Sequence, residues 1–281
     1  MNDSTFLLAG HRVRRVGFGA MQLPGPRVFG PPRNRQNAVD VLRYAVRSGV
    51  NHIDTAQFYG PDVANELIRD ALFPYPEDLV LVSKVGASRD ASGGIHAAQN
   101  PEQLREGVLA NLDSLQLDQV PVVNLRRHPE AGVPFDEQIA AMVAMRDEGL
   151  IGGVGLSNVT LEEYRAARLV TQVVCVQNAY NLADRLDQAL FDACAADNVA
   201  YVPFFPLGSG FSPQNPVLTA PAVVSAANRL GVTAAQIALA WLLTASPNVL
   251  LIPGTSSLPH LHENLKAAEL LLDAQTLAEL G

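Results

Sequence analysis

The chain has 281 residues, of which 48% are hydrophobic and 17% charged, and its formal net charge is −8. Such low charge with so much apolar sequence excludes a disordered chain. The acidic balance argues against nucleic acid or an anionic membrane as partner.

In chain order, residues 5–8 and 12–16, split by Ala9-Gly10-His11, predict a small hairpin. A strand near 15–19 and a Gly/Pro-rich loop to residue 32 follow. A helix over 34–48 places Val39, Leu42 and Val46 on one face and stops at Gly49. The next strand ends at Asp54; a helix over 64–72 and a strand over 79–83 lead to Lys84. Pro101 opens a helix at a favoured first-turn position, with Leu104, Val108, Leu112 and Leu115 at helical spacing. A strand over 120–125 is followed by a helix bearing Ile139, Met142, Val143 and Met145 that stops at Gly149. Strands over 151–155 and 173–176 flank a helix starting after the N-cap residue Thr160. A helix over 186–197 leads to a strand over 200–203, a Gly/Pro-rich loop and a helix near 221–230. Thr233 caps a helix containing Trp241, a strand spans 249–252, and helices start near Pro259 and Asp273. The two cysteines, Cys175 and Cys194, lack both CxxC spacing and a disulfide framework and read as core residues in a reducing compartment. The N-terminus shows no signal-peptide run and the longest apolar run, 237–243, is too short for a bilayer, so a cytoplasmic protein is expected.

Apolar strands alternating with helices imply parallel pairing through right-handed crossovers. Eight such units close into a (β/α)8 TIM barrel, here with a short N-terminal β-hairpin. No linker, composition shift or low-complexity run divides the chain, so one domain over 1–281 is expected.

Polar residues collect at the carboxyl ends of these strands: Asp54 and Tyr59, Lys84, Arg126, Ser157 and Asn158, and Gln177. In a barrel those ends share one rim, where active sites form. Two readings of the stretch GVNHIDTAQFYG stand side by side. Asp54 and Tyr59 are either a helix cap and a loop aromatic, or an acid set beside its electrostatic partner; Asp54 with Lys84 is likewise either a structural ion pair or catalytic. The segment Gly17-Phe18-Gly19-Ala20-Met21-Gln22 begins like GxGxxG but lacks the third glycine and an immediate helix. It reads as a rim turn where small residues let a ligand approach. No metal site is expected.

The motifs GVNHIDTAQFYG, LVSKVG, VGLSN, VQNAYN, FFPLGSG, QIALAWLL and IPGTSSLPHLHENL, in this order, resemble the aldo-keto reductase family over about residues 16–270. Within it, AMQLPGPRVFGPPR, VVNLR and YVPFFPLG are similar to bacterial pyridoxal reductases. The resemblance implies a (β/α)8 barrel that uses NADPH without a Rossmann motif. It implies hydride transfer to a carbonyl carbon of a small aldehyde, with Tyr59 protonating the oxygen. Lys84 would favour the phenolate that Tyr59 leaves behind, and Asp54 would hold Lys84 charged and in place. The family usually closes its fourth strand with a catalytic histidine. Here Arg126 falls at that position; His128, two residues on, would share its face only if the strand continued, which Pro129 opposes. Arg126 can stabilise an oxyanion but cannot shuttle a proton as imidazole does.

Gly19, Ala20 and Met21 of the rim turn, with Asp54, are expected cofactor contacts; the same resemblance assigns Ser157, Asn158 and Gln177 to the nicotinamide amide and Phe204 to a stacking platform. Leu207, Gly208 and Ser209 become a pyrophosphate strap, and Thr255, Ser256, His260, Glu263 and Asn264 the adenosine end. Capping and turn chemistry is the alternative for this last group. Gly254 stands where some members have Lys, and His260 where many have Arg. Met21, Phe29 and Phe58 are candidate substrate-pocket residues, with 23–32 expected to cover the site. Pyridoxal, reduced to pyridoxine, is the first substrate expected. The alternatives are a broad-specificity detoxifying carbonyl reductase and a cofactor-binding regulatory subunit with little turnover. Oligomeric state is not legible.

Overall fold

Seven strands form one parallel sheet in the order β11-β10-β9-β8-β5-β4-β3 in the computed structural model, which describes residues 4–208 and 215–281. They are β3 (Phe18–Gly19), β4 (His52–Asp54), β5 (Val80–Val85), β8 (Val120–Arg126), β9 (Ile151–Ser157), β10 (Val173–Gln177) and β11 (Ala200–Tyr201). An eighth extended segment lies between the two edges of this sheet. Val249 bridges Tyr201 and Leu251 bridges Val16, both in parallel. Backbone bonds Leu250 N to Tyr201 O (2.9 Å) and Gly17 N to Leu251 O (2.8 Å) run along its two sides. The Arg15 guanidinium, buried, donates to Val249 O (3.1 Å) and Leu243 O (2.7 Å) from the opposite edge. The strand expected over 249–252 is therefore reduced to bridges. Pro247 and Pro253 flank it and offer no N–H to extend a ladder. The first strand likewise shrinks to two residues, because the chain before it is still leaving the hairpin.

That hairpin pairs β1 (Thr5–Leu8) with β2 (His11–Arg14). Its turn uses left-handed Ala9 and Gly10 (φ 50° and 85°), the two-residue geometry that matches strand twist. Leu8 and Val13 pack with Val80, Val82, Val122, Cys175, Ala200 and Leu250, so the hairpin closes the amino end of the strands.

The helices are built from local signals. In α1 (Arg35–Arg47) the Asn34 side chain accepts from Asn37 N, and Ala38, Val41, Leu42 and Ala45 face the core. Reciprocal capping boxes start α3 (Pro101–Leu115) at Asn100/Gln103, α5 (Leu161–Val170) at Thr160/Glu163 and α8 (Ala234–Ala245) at Thr233/Gln236. Each such cap contributes on the order of 1 kcal/mol. The remaining helices are α2 (Val63–Leu72), α4 (Phe135–Asp147), α6 (Gln188–Ala196), α7 (Pro221–Leu230), α9 (Leu258–Lys266) and α10 (Ala274–Leu280). Among the described residues no single helix is long and apolar enough to cross a membrane. Cys175 and Cys194 are free and buried.

One segment had no reading in the sequence. After β5 the chain forms a second antiparallel hairpin, β6 (Ala87–Arg89) with β7 (Ile95–Ala97). Asp90 organises its turn by accepting from Ser92 N (2.8 Å) and Gly94 N (2.9 Å).

His52, on the same face of β4 as Asp54, is fully buried, and neither ring nitrogen has a well-formed hydrogen bond. Burial pushes its pKa from 6.5 down to about 4, with the Arg14 backbone offsetting part of the effect. The folded chain thus binds fewer protons than the unfolded one between those values. Stability is full above pH 6.5, falls as pH drops through it, and levels off below about 4. The loss is about 3 kcal/mol. His52→Leu is expected to remove that part of the acid slope when urea unfolding is followed from pH 7.5 to 4. Equal slopes in the two proteins would show that His52 does not contribute.

Candidate active site

Parallel strands bring their carboxyl ends to one rim, and side-chain alternation decides what faces inward. Arg126, Ser157 and Gln177 stand in one row across β8, β9 and β10. Arg127, next in sequence, points the other way. It pairs with Glu163 (2.8 Å) and donates to Gln138 Oε1 (2.8 Å) outside the strands.

Asp54 and Lys84 form a buried ion pair, 3% and 4% exposed. Lys84 Nζ also donates to Thr55 O (3.0 Å), while the second Asp54 oxygen accepts from Gln177 Nε2 (2.5 Å). Burial alone would push Lys84 down, but the Asp54 charge and then Tyr59 outweigh it, and the net direction is up. The group is an ammonium through neutral pH. Removing one partner of such a pair costs about 3–5 kcal/mol, because the other charge is left buried.

Tyr59 lies in the loop between β4 and α2, its backbone N bonded to Ala56 O (3.0 Å) and its O to Ala64 N (3.0 Å). Lys84 Nζ sits 5.0 Å from its ring centre, and Phe58 meets it edge-on at 5.1 Å. The hairpin that the sequence did not disclose braces this loop. Arg89 Nε donates to Phe58 O (2.9 Å) and Gln57 Nε2 to Ala87 O (3.1 Å). The cluster of Asp90, Gly93 and Gly94 was the available turn signal.

Arg126 Nε donates to His128 Nε2 at 3.3 Å, and its carbonyl accepts from Gln99 Nε2. Burial, then the Arg126 charge, hold His128 below its ordinary value, which keeps its Nε2 free to accept. The two Nη groups of Arg126 have no partner among the described residues.

A cavity of about 350 Å3 opens between these groups. Of the residues singled out in the sequence, Asp54, Tyr59, Lys84, Arg126, Gly19, Met21, Ser157, Gln177, Phe204, Leu207 and Gly208 line it. Gln22, named in the sequence only as the end of the rim turn, lines it too, as do Asn215 and Leu218, which were missed in the sequence. Asn215 donates to Leu207 O (2.7 Å) and so pins that loop. Ser209 lies outside the described residues. Ala20 is buried below the rim. The Asn158 amide is spent on Arg127 O (3.1 Å). Phe58 packs behind Tyr59, and Phe29 bridges Gly60 and packs on Gly93, so neither lines the cavity.

The last loop and α9 carry the remaining candidates. Thr255 Oγ1 accepts from Ser257 N (3.0 Å), His260 is exposed in the first turn of α9, and Glu263 O accepts from Gln236 Nε2 (3.2 Å). Asn264 is buried. Ser256 is exposed and lines a second, neighbouring cleft. A Cβ at Gly254 would lie 2.5 Å from Gly19 O, which explains why this position carries no longer side chain. Gln177 Oε1 is buried and unpartnered at the cavity wall. Such a lone acceptor calls for an N–H from a bound molecule.

A fixed ammonium, a phenol and a guanidinium around one cavity suit protonation of an oxygen that gains negative charge. Residues 15–281 match the aldo/keto reductase family. The chain is 48% identical to pyridoxine 4-dehydrogenase of Escherichia coli (strain K12), over 100% of this chain and 98% of that protein. A thermostable aldo-keto reductase solved with the inhibitor epalrestat is 30% identical, with a TM-score of 0.83 and 98% of each chain covered. An aldo-keto reductase from Klebsiella pneumoniae in complex with NADPH is 26% identical, with a TM-score of 0.83 and 100% and 94% covered.

Proposed function

The chain belongs to the aldo/keto reductase family and is an NADP-dependent oxidoreductase, and from that premise we propose that it reduces pyridoxal to pyridoxine. We read the parallel ring as a closed (β/α)8 barrel in one domain, working in the cytoplasm. The observation that carries the substrate is Arg126, which lines the cavity with Lys84 and Tyr59 and whose two Nη groups have no partner among the described residues. The likeness to pyridoxine 4-dehydrogenase supports it.

The residues present suit the cofactor. The unpartnered Gln177 Oε1 would take an amide N–H of the nicotinamide, and Phe204 offers a flat apolar face. Gly19 lines the same cavity, and it is a glycine because a Cβ there would lie 2.5 Å from Ile252 O. NADPH, when bound, supplies the hydride. Tyr59 gives its proton to the carbonyl oxygen. Lys84 stabilises the phenolate left behind, and Asp54, fixed by Gln177, keeps Lys84 charged and oriented.

Pyridoxal carries its aldehyde beside a ring hydroxyl that is largely ionised at neutral pH. A guanidinium presents parallel donors that reach two adjacent oxygens, where an imidazole presents one. As the carbonyl oxygen turns negative, Arg126 binds it more tightly than in the ground state. Arg126→His is expected to lose about 30- to 10³-fold in kcat/KM on pyridoxal and little or nothing on benzaldehyde. Equal proportional losses on both aldehydes would remove the substrate argument and leave Arg126 a general electrostatic or structural residue.

A further inference from the structure

A second cleft, of about 280 Å3, lies between the loop after β3 and the start of α1, and it shares Met21 and Gln22 with the first. The chain carries 28 acidic and 20 basic residues, yet this cleft is lined by Arg27 and Arg33 and by no Asp or Glu. Neither arginine has a hydrogen bond or ion pair among the described residues. Their neighbour Arg35, by contrast, pairs with Asp70. Asn37 Nδ2 donates to Ser256 O at 2.7 Å, which fixes the cleft wall to the last loop and leaves a second amide hydrogen free. The Ser256 hydroxyl completes the wall.

The backbone here is held in an unfavourable shape. Arg27 and Val28 both have left-handed φ (59° and 60°), a conformation that a β-branched residue rarely adopts. Bonds Gly25 N to Gly30 O (2.9 Å) and Gly30 N to Gly60 O (2.8 Å) enforce it. Strain of this kind persists where surroundings over-determine it, commonly at ligand clamps. The last loop, meanwhile, offers no cation of its own. Residues 253–265 contain no Lys or Arg, and a Cβ at position 254 would strike Gly19 O at 2.5 Å. An anion beside Ser256 finds its counter-charges across the cleft instead.

We propose that this cleft is a phosphate-monoester site, with Arg33 and Arg27 as the charged donors and Asn37 and Ser256 as the neutral ones. The dianion has two possible sources: the 2′-phosphate of NADP(H), which rests on the cofactor reading above, or the phosphate of a phosphorylated aldehyde substrate.

The test is calorimetric titration of the full chain and of Arg33→Gln, Arg27→Gln and the double variant with four ligands: NADPH, NADH, pyridoxine 5′-phosphate and pyridoxine. Loss of charge-assisted donors is expected to weaken the phosphate-bearing member of one pair about 10- to 100-fold, and its phosphate-free partner less than about 2-fold. Selective weakening of NADPH identifies the cofactor as the source; selective weakening of pyridoxine 5′-phosphate identifies the substrate. Arg33→Lys should recover part of the loss, since it keeps the charge but not the fork. If no variant changes either ratio beyond about 2-fold, the cleft is not a phosphate site. Failure of the parent to bind either nucleotide would overturn the cofactor reading separately, and the pyridoxine pair would still decide the cleft.

Discussion

Tyr59→Phe is expected to lower kcat by about 10²- to 10⁴-fold, the usual worth of a positioned general acid, while NADPH affinity stays within a few-fold. The substitution deletes one oxygen and keeps the ring, its edge contact with Phe58 and its place beside the Lys84 ammonium. The backbone bonds that hold the loop, Tyr59 N to Ala56 O and Ala64 N to Tyr59 O, do not involve the hydroxyl. Fold and cofactor wall therefore remain, and kcat and kcat/KM should fall together, the pattern of an interaction made only in the transition state. Steady-state kinetics with pyridoxal, beside fluorescence titration of NADPH, checks this. Retention of most of kcat would assign the proton to another group.

The second large effect concerns Lys84. Lys84→Met removes the charge that stabilises the Tyr59 phenolate, so the rate should fall about as far as for Tyr59→Phe, by roughly 10²- to 10⁴-fold. The basic limb of the residual pH–rate profile should move upward. The variant also strands Asp54, both of whose oxygens are engaged in a buried setting. Stability is expected to drop by about 3–5 kcal/mol. The two effects separate in the double variant Asp54→Asn/Lys84→Met. Removing the stranded charge restores much of the stability, read as a urea midpoint, and none of the rate. An unchanged pH profile at normal rate in the single variant would make the Asp54–Lys84 pair purely structural.

Helix starts were legible because their signals are local. Asn34, Thr160 and Thr233 bond to backbone N–H groups three residues on, and no distant contact is needed to place them. Strand lengths were less so, as at β3 and at 249–252, because a strand is defined by partners far away in sequence. The hairpin of β6 and β7 pairs neighbouring stretches and went unread for a different reason: its short strands carry no strong apolar alternation, and its purpose shows only where it touches Phe58 and Gln57.

By itself, the order of residues determined the alternation of strands and helices and put Asp54, Lys84, Arg126, Ser157 and Gln177 at successive strand ends. Neighbouring residues and the two-residue strand period are enough for that. Only the tertiary structure decided which of them meet. Gln177 reaches across from β10 to Asp54 on β4, 123 residues earlier. Arg126 turns inward and Arg127 outward because β8 runs on to residue 126. Arg27 and Arg33 come to face Ser256 because α1 is tied to the last loop through Asn37. Each of these depends on the pairing and curvature of the parallel strands, which are set by long-range packing rather than by any short stretch of sequence.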